Sequence, residues 1–238
     1  MRLLPGLLAL FACTVLAAEP LRVVSLAPSM SEIMLELQAD DLLVGVLDGG
    51  ERPAALRHLP SVGRQGQLDM ERLLSLRPDL LLLWPGSVPP AQRDQLKRLG
   101  MATFSAEPHD ISQLIEQIEA IAGRIGRAEQ GHSYARALRE RLQQLRQQYR
   151  RDEPLQVFYQ VWDRPLYTLG GRQVVTDALA VCGARNVFAD LGQPAPQVNV
   201  ESVLQRNPQV ILAADEAQLA SWKAVSYTHL RAHETPEH

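Results

Sequence analysis

The chain has 238 residues, 46% of them hydrophobic, which is more than one small domain needs and suits two of about 100 residues each. A net charge of −3 with no long basic run excludes the electrostatic footprint of a nucleic-acid binder, and no polyanionic partner is expected. Past the N-terminal segment no stretch is apolar for the roughly 20 residues a bilayer requires, so the mature chain is expected to carry no membrane span.

Residues 1–18 read as an export signal peptide. Arg2 supplies the positive start, Leu3 to Leu16 the apolar run, and Val15-Leu16-Ala17 the small-residue cleavage chemistry. Leu10-Phe11-Ala12-Cys13 also has the outline of a lipoprotein site that would lipidate Cys13, with ordinary cleavage the preferred reading. Ordinary cleavage leaves Cys182 as the remaining thiol. It is read either as a small buried apolar group or as half of a pair whose partner is missing.

Leu21 to Leu26 alternates into a strand, Pro28-Ser29-Met30-Ser31-Glu32 opens a helix capped by Ser29 or Ser31, and Leu42 to Leu47 forms a second strand. Asp69-Met70-Glu71 then starts a short helix that Pro78 stops, and Leu80 to Leu83 follows as a buried strand. Trp84-Pro85-Gly86 makes a turn, Ala91 to Leu99 a helix ended by Gly100, and Ala102 to Ser105 a strand. Alternating elements with short loops imply a parallel sheet wrapped by helices.

Ile111 to Ile125 has helical spacing, Gly126 interrupts, and Arg127 to Tyr149 forms a longer polar helix with a narrow stripe of Ala135, Leu138, Leu142 and Leu145. Its roughly 23 residues would span about 35 Å, so it is read as a strut as well as a solvated surface helix. Beyond it Leu155 to Val161 is a strand, Arg172 to Cys182 a helix and Asn186-Val187-Phe188 a short strand.

Then Asn199-Val200-Glu201 opens a second copy of the segment that began at Asp69, again with a proline, Pro208, and a strand behind it. Glu71 and Glu201 hold equivalent places, where a helix dipole favours negative charge. Both are expected to be exposed and ordered. The second lobe ends with fewer elements than the first and is read as truncated. Residues 225–238, with Ser226-Tyr227-Thr228-His229-Leu230-Arg231-Ala232-His233, have neither strand period nor helical face and are read as foreign, adapter-derived sequence whose histidines are not metal ligands.

The opening Arg22-Val23-Val24-Ser25-Leu26-Ala27-Pro28-Ser29, the double glutamate motif, the long central helix and Cys182-Gly183-Ala184-Arg185-Asn186-Val187-Phe188 occur together. In that combination, residues 21 to about 224 resemble the periplasmic substrate-binding proteins of ABC importers, of the helical-backbone class III, nearest the cobalamin-binding members. The resemblance implies an α/β fold of two Rossmann-like lobes with parallel sheets, residues 19–126 and 152–224, joined by a single backbone helix over 127–151. It implies a monomer in the periplasm that holds a corrinoid between its lobes and delivers it to inner-membrane ABC permease subunits. Cobalamin would be a transported ligand, not a cofactor.

The resemblance also assigns roles. Glu71 and Glu201 match the two acids that dock on arginines of the importer. Trp84 matches a cleft tryptophan, and Trp162, Tyr159 and Tyr167 lie where the family places a second aromatic wall; the core is the ordinary home of any one of them. Arg64 stands where cobalamin binders carry a tryptophan, and Asp48, Gly49 and Gly50 replace an aromatic. Arg64 is either a solvated loop residue or a contact for an anionic group such as a corrinoid phosphate or a siderophore carboxylate, and a ferric siderophore or haem is the alternative ligand.

His58, His109 and His132 have no ligand-pair spacing, so no metal site is expected. An exported α/β enzyme is the competing class, but Gly-x-Gly-x-x-Gly, Walker and Gly-x-Ser-x-Gly signatures are lacking and no enzymatic activity is expected. A structural envelope protein would have no cleft at all.

Overall fold

The computed structural model describes residues 19–214 together with Gln218 and Trp222. The export signal with Cys13 and the segment read as foreign lie outside the described residues.

The first lobe runs β1 (Val23–Ser25), α1 (Pro28–Glu36), β2 (Leu43–Asp48), β3 (Ser61–Arg64), β4 (Gln67–Leu68), α2 (Met70–Ser75), β5 (Leu80–Leu83), α3 (Pro90–Arg98) and β6 (Thr103–Ser105). Its sheet has the order β4-β3-β2-β1-β5-β6 and is parallel except for β4, which pairs antiparallel with β3. Every residue of β1 and β5 is buried, as central parallel strands covered on both faces must be. Their side chains alternate between two apolar layers. Val23, Leu80 and Leu82 pack with α1 on one face, while Val24, Leu81 and Leu83 pack with Leu73 and Leu96 on the other.

Two local expectations for this lobe need correcting. Neither Ser29 nor Ser31 caps α1, whose N-cap is Ala27 with Pro28 at the first turn; Ser31 instead donates to Ser25 Oγ at 2.8 Å inside the core. The β3–β4 hairpin was not foreseen, because Ser61-Val62-Gly63-Arg64 has one apolar residue. Gly63 makes it possible, with φ of 109° and a position where a Cβ would lie 2.3 Å from the Gln67 carbonyl oxygen.

After β6 come α4 (Ile111–Arg124) and α5 (Ala128–Gln148), separated at Gly126 by a turn with φ of 73°. Asp110 caps α4 by accepting from the Gln113 N–H at 2.7 Å. The 21 residues of α5 give about 32 Å. Ala135 is fully buried, Tyr134 and Leu138 pack on the first-lobe core, and Arg139 grips Glu119 of α4 at 2.6 and 3.3 Å. At the far end the chain meets the second lobe, where a Cβ on Gly183 would lie 2.1 Å from the Tyr149 carbonyl oxygen.

The second lobe contains β7 (Leu155–Asp163), β8 (Leu166–Thr168), α6 (Val174–Val181), β9 (Ala184–Asn186), α7 (Val200–Arg206) and β10 (Val210–Leu212). β7 is central, parallel to β10 and β9 and antiparallel to β8. The core forms around Phe158, which meets Phe188 and Trp222 edge-on at 5.8 and 5.4 Å between centroids. The α6 helix starts later than Arg172, and the short strand lies at 184–186, because Val187 and Phe188 leave it to fill the core. Cys182 is free and exposed just after α6, so it is not the buried apolar group considered from the sequence.

The two lobes repeat at the level of hydrogen bonds. Asp79 N donates to the Arg22 carbonyl at 2.8 Å, and its counterpart Gln209 N donates to the Gln156 carbonyl at 2.8 Å. Val23 then pairs with Leu80 as Val157 pairs with Val210. The fold is thus α/β with parallel-rich sheets in both lobes, carrying antiparallel edges the sequence did not announce.

Candidate functional site

In open parallel sheets, ligands sit beyond the carboxyl ends of the strands, where loops leave the sheet and its side chains become reachable. Along that edge of the first lobe stand Asp48 at the end of β2, Arg64 at the end of β3 and Trp84 directly after β5. Trp84 is half-buried against the core beneath α1. Its carbonyl accepts from Ser87 N at 2.9 Å and Ser87 Oγ at 2.7 Å, and its ring lies over Gly86, where a Cβ would come within 2.3 Å of it. The tight turn therefore fixes the indole.

Arg64 is exposed, its Nε donating to Gln67 Oε1 at 3.1 Å, and it has no ion-pair partner among the described residues. Its register neighbour Asp48 is committed elsewhere, accepting from Ser61 Oγ at 2.5 Å and from Arg52. The Ser61 hydrogen bond first, and the Arg52 hydrogen bond second, hold the Asp48 carboxyl below its ordinary range.

In the second lobe Trp162 and Tyr167 are cross-strand partners on β7 and β8. Trp162 is 57% exposed, its indole N–H donating to the Arg164 carbonyl at 3.1 Å, while Tyr167 is half-buried. Tyr159 is half-buried on β7, and its carbonyl accepts from Thr168 Oγ1 at 2.7 Å. The unforeseen strand β8 is what brings Tyr167 beside Trp162. Among the described residues no ring contact joins Trp84 to that pair.

Between the lobes lies a cavity of about 350 Å³ lined by His109, Asp110, Gln113, Arg172, Thr176 and Asp177. Asp177 Oδ2 accepts from Ile111 N at 3.0 Å, so a carboxylate from α6 helps to satisfy the free first turn of α4. Nothing in the sequence pointed to this contact, since its partners are far apart in the chain and neither stands in a motif.

Glu71 and Glu201 are both exposed, each the second residue of its helix. Asp69 Oδ1 accepts from Arg72 N at 2.9 Å and Asn199 Oδ1 from Ser202 N at 2.8 Å, so the first turns are fixed alike. Both helices also end alike, with Arg77 at φ of 45° and Asn207 at 46°. Among the described residues no group of three metal-ligating side chains comes together.

This architecture recurs in known proteins. Over 211 residues the chain is 34% identical to a vitamin B12-binding protein of Vibrio cholerae, covering 87% of this chain and 76% of that protein. The crystal structure of the periplasmic vitamin B12 binding protein BtuF of Vibrio cholerae superposes with a TM-score of 0.75 at 33% identity, over 85% of this chain and 82% of that one. A periplasmic heme-binding protein, RhuT from Roseiflexus sp. RS-1, superposes with a TM-score of 0.73 at 25% identity, over 85% of this chain and 79% of that one. The family model described as periplasmic binding protein matches residues 23–236, continuing through the segment read from the sequence as foreign. This chain belongs to the periplasmic binding protein family.

Proposed function

We propose that the chain is the binding component of a cobalamin importer, capturing a corrinoid between its two lobes in the periplasm and handing it to inner-membrane ABC permease subunits. The observation that carries this reading is the aromatic pair Trp162 and Tyr167 on the second lobe together with Trp84 at the carboxyl edge of the first sheet, in a chain 34% identical to a vitamin B12-binding protein. Large rigid rings supply apolar area at low entropy cost, which suits a bulky macrocycle. Tyr159 and Arg64 complete the proposed ligand-binding set. Glu71 and Glu201 would dock on the importer, where charge-assisted pairing to arginine is the strong form of hydrogen bond.

The rest of the reading follows the same line. Residues 1–18 would direct export and be removed, and lobes at 19–126 and 152–224 would be joined by the helix region 127–151. The protein would act as a monomer and as a binder without enzymatic activity. Residues 225–238 are retained as a proposed foreign tail, against which the extent of the family match is the opposing observation.

A haem ligand is the second reading, favoured by Arg64 at the cleft edge and by the likeness to a heme-binding protein. Titration with cyanocobalamin, haemin and a ferric siderophore, followed by absorbance and calorimetry, separates the two. Saturable one-to-one binding of cyanocobalamin supports the first reading. Binding of haemin alone replaces it with the second, and binding of none removes both.

A further inference from the structure

Within each copy of the repeat, the residue three positions after the acid is a leucine that the core does not consume. Leu74 is 40% exposed and Leu204 is 37% exposed, while the preceding Leu73 and Val203 are 0% and 1% exposed and anchor α2 and α7 to their sheets. A three-residue step on a helix puts Leu74 beside Glu71 and Leu204 beside Glu201 on one face. A single exposed leucine needs no explanation. Two at the same register of a duplicated element do, because among the described residues neither leucine belongs to its lobe's apolar core. Their neighbours differ in character, Arg72 against Ser202 and Ser75 against Gln205, so the likeness of the two exposed faces is concentrated in the acid and the leucine.

We propose that Leu74 and Leu204 are the apolar halves of two matching docking points, fitted to a membrane partner that presents, at two equivalent places, a basic side chain beside an apolar one. The inference rests on the docking role proposed above for Glu71 and Glu201, and it adds a contact that salt does not screen. Exposed ion pairs are weak and fade with ionic strength. An acid on its own would therefore give a salt-sensitive contact, whereas a leucine seated in an apolar recess holds on at high salt. The adjacent acids also disfavour an anionic lipid surface as the occupant.

The test measures binding of the full chain to the source organism's importer in lipid nanodiscs, at low salt and at about 0.5 M NaCl, where the screening length is only a few Å. Leu74→Ser and Leu204→Ser should each weaken binding about tenfold, and the double variant should lose nearly all binding at high salt. Leu74→Met with Leu204→Met should bind like wild type. A melting temperature within a degree or two of wild type, the shift expected of surface substitutions, and unchanged cyanocobalamin affinity identify variants that are folded.

A folded double serine variant that binds like wild type overturns the leucine contact alone. Failure of wild type to bind the importer overturns the docking role of the glutamates as well. If the serine changes instead abolish dimerisation seen by ultracentrifugation, or binding to protein-free phosphatidylethanolamine and phosphatidylglycerol vesicles, the occupant is a second copy or the bilayer, and the proposal falls.

Discussion

The Ile111 N–H at the start of α4 donates to the Asp177 carboxylate on α6 at 3.0 Å, tying the first lobe's last helix to the second lobe beside the cavity they share. A carboxylate at a helix N-terminus is favoured by the free N–H groups and by the dipole. Here the acid comes from the opposite lobe, so the interaction counts only while the lobes keep their relative placement. Asp177→Ala should cost about 1 kcal/mol, the usual worth of a cap, seen as a lower melting temperature. Asp177→Asn, which keeps an acceptor, should recover part of it. An Asp177→Ala melting temperature equal to that of wild type would show that the contact carries no stability.

Trp162 and Trp84 should separate binding from folding. Trp162 is 57% exposed, so Trp162→Ala is expected to leave the melting temperature near wild type while weakening cyanocobalamin binding about tenfold or more. Trp84 also packs on the core, so Trp84→Ala should reduce both affinity and stability. Calorimetry and thermal melts on the same samples decide it, and unchanged affinity in both variants would remove these residues from the cleft.

Glu71→Ala combined with Glu201→Ala should leave ligand affinity intact, because both side chains are exposed. Transport into vesicles containing the importer should fall. Equal transport by the double variant would end the docking role.

Three carboxylates give the pH dependence a sign. Glu119 is held below its ordinary range first by its hydrogen bond to Arg139, Asp190 first by Arg206, and Asp48 first by Ser61. A carboxyl whose folded value is depressed contributes stability that is fully present above the ordinary carboxylate range and is lost as pH falls through the folded value. Denaturant unfolding should therefore show stability flat near neutrality and declining in acid below pH of about 4, the ordinary range of such groups. Glu119→Gln should flatten that decline, and a slope identical to wild type would exclude the pair as its source.

Gly170 and Gly171 follow β8, and a Cβ at either would lie 2.0 Å from a backbone oxygen, that of Gln193 or of Ala189. Since backbone cannot swing aside as a side chain can, Gly170→Ala should destabilise the protein by about 1 to 3 kcal/mol. A melt unchanged from wild type would contradict this geometry.

The parts of the fold legible in the sequence were those written in local chemistry. The caps Asp69 and Asn199, the stops at Pro78 and Pro208 and the apolar run Leu80 to Leu83 each act within a few residues, so α2, α7, β5 and β10 could be read directly. Neither Ser29 nor Ser31 caps α1, because Pro28 starts the helix and leaves both inside it, with Ser31 donating to Ser25 in the core. Cys182 is a residue type that composition tends to bury, yet it is the C-cap of α6 and is exposed.

By itself the sequence determined the duplication, the alternation of strand and helix, and the exposed acids at Glu71 and Glu201, since periodicity and capping are short-range properties. Tertiary structure decided what stands beside what: Tyr167 across from Trp162 through the strand β8, Arg64 on Gln67 rather than on Asp48, and Asp177 on the first turn of α4. Those pairings join residues whose side chains carry no mark of their partners. Two of them answer backbone needs, the β7–β8 ladder and the free first turn of α4, while Arg64 reaches Gln67 side chain to side chain across a hairpin that forms only with the sheet.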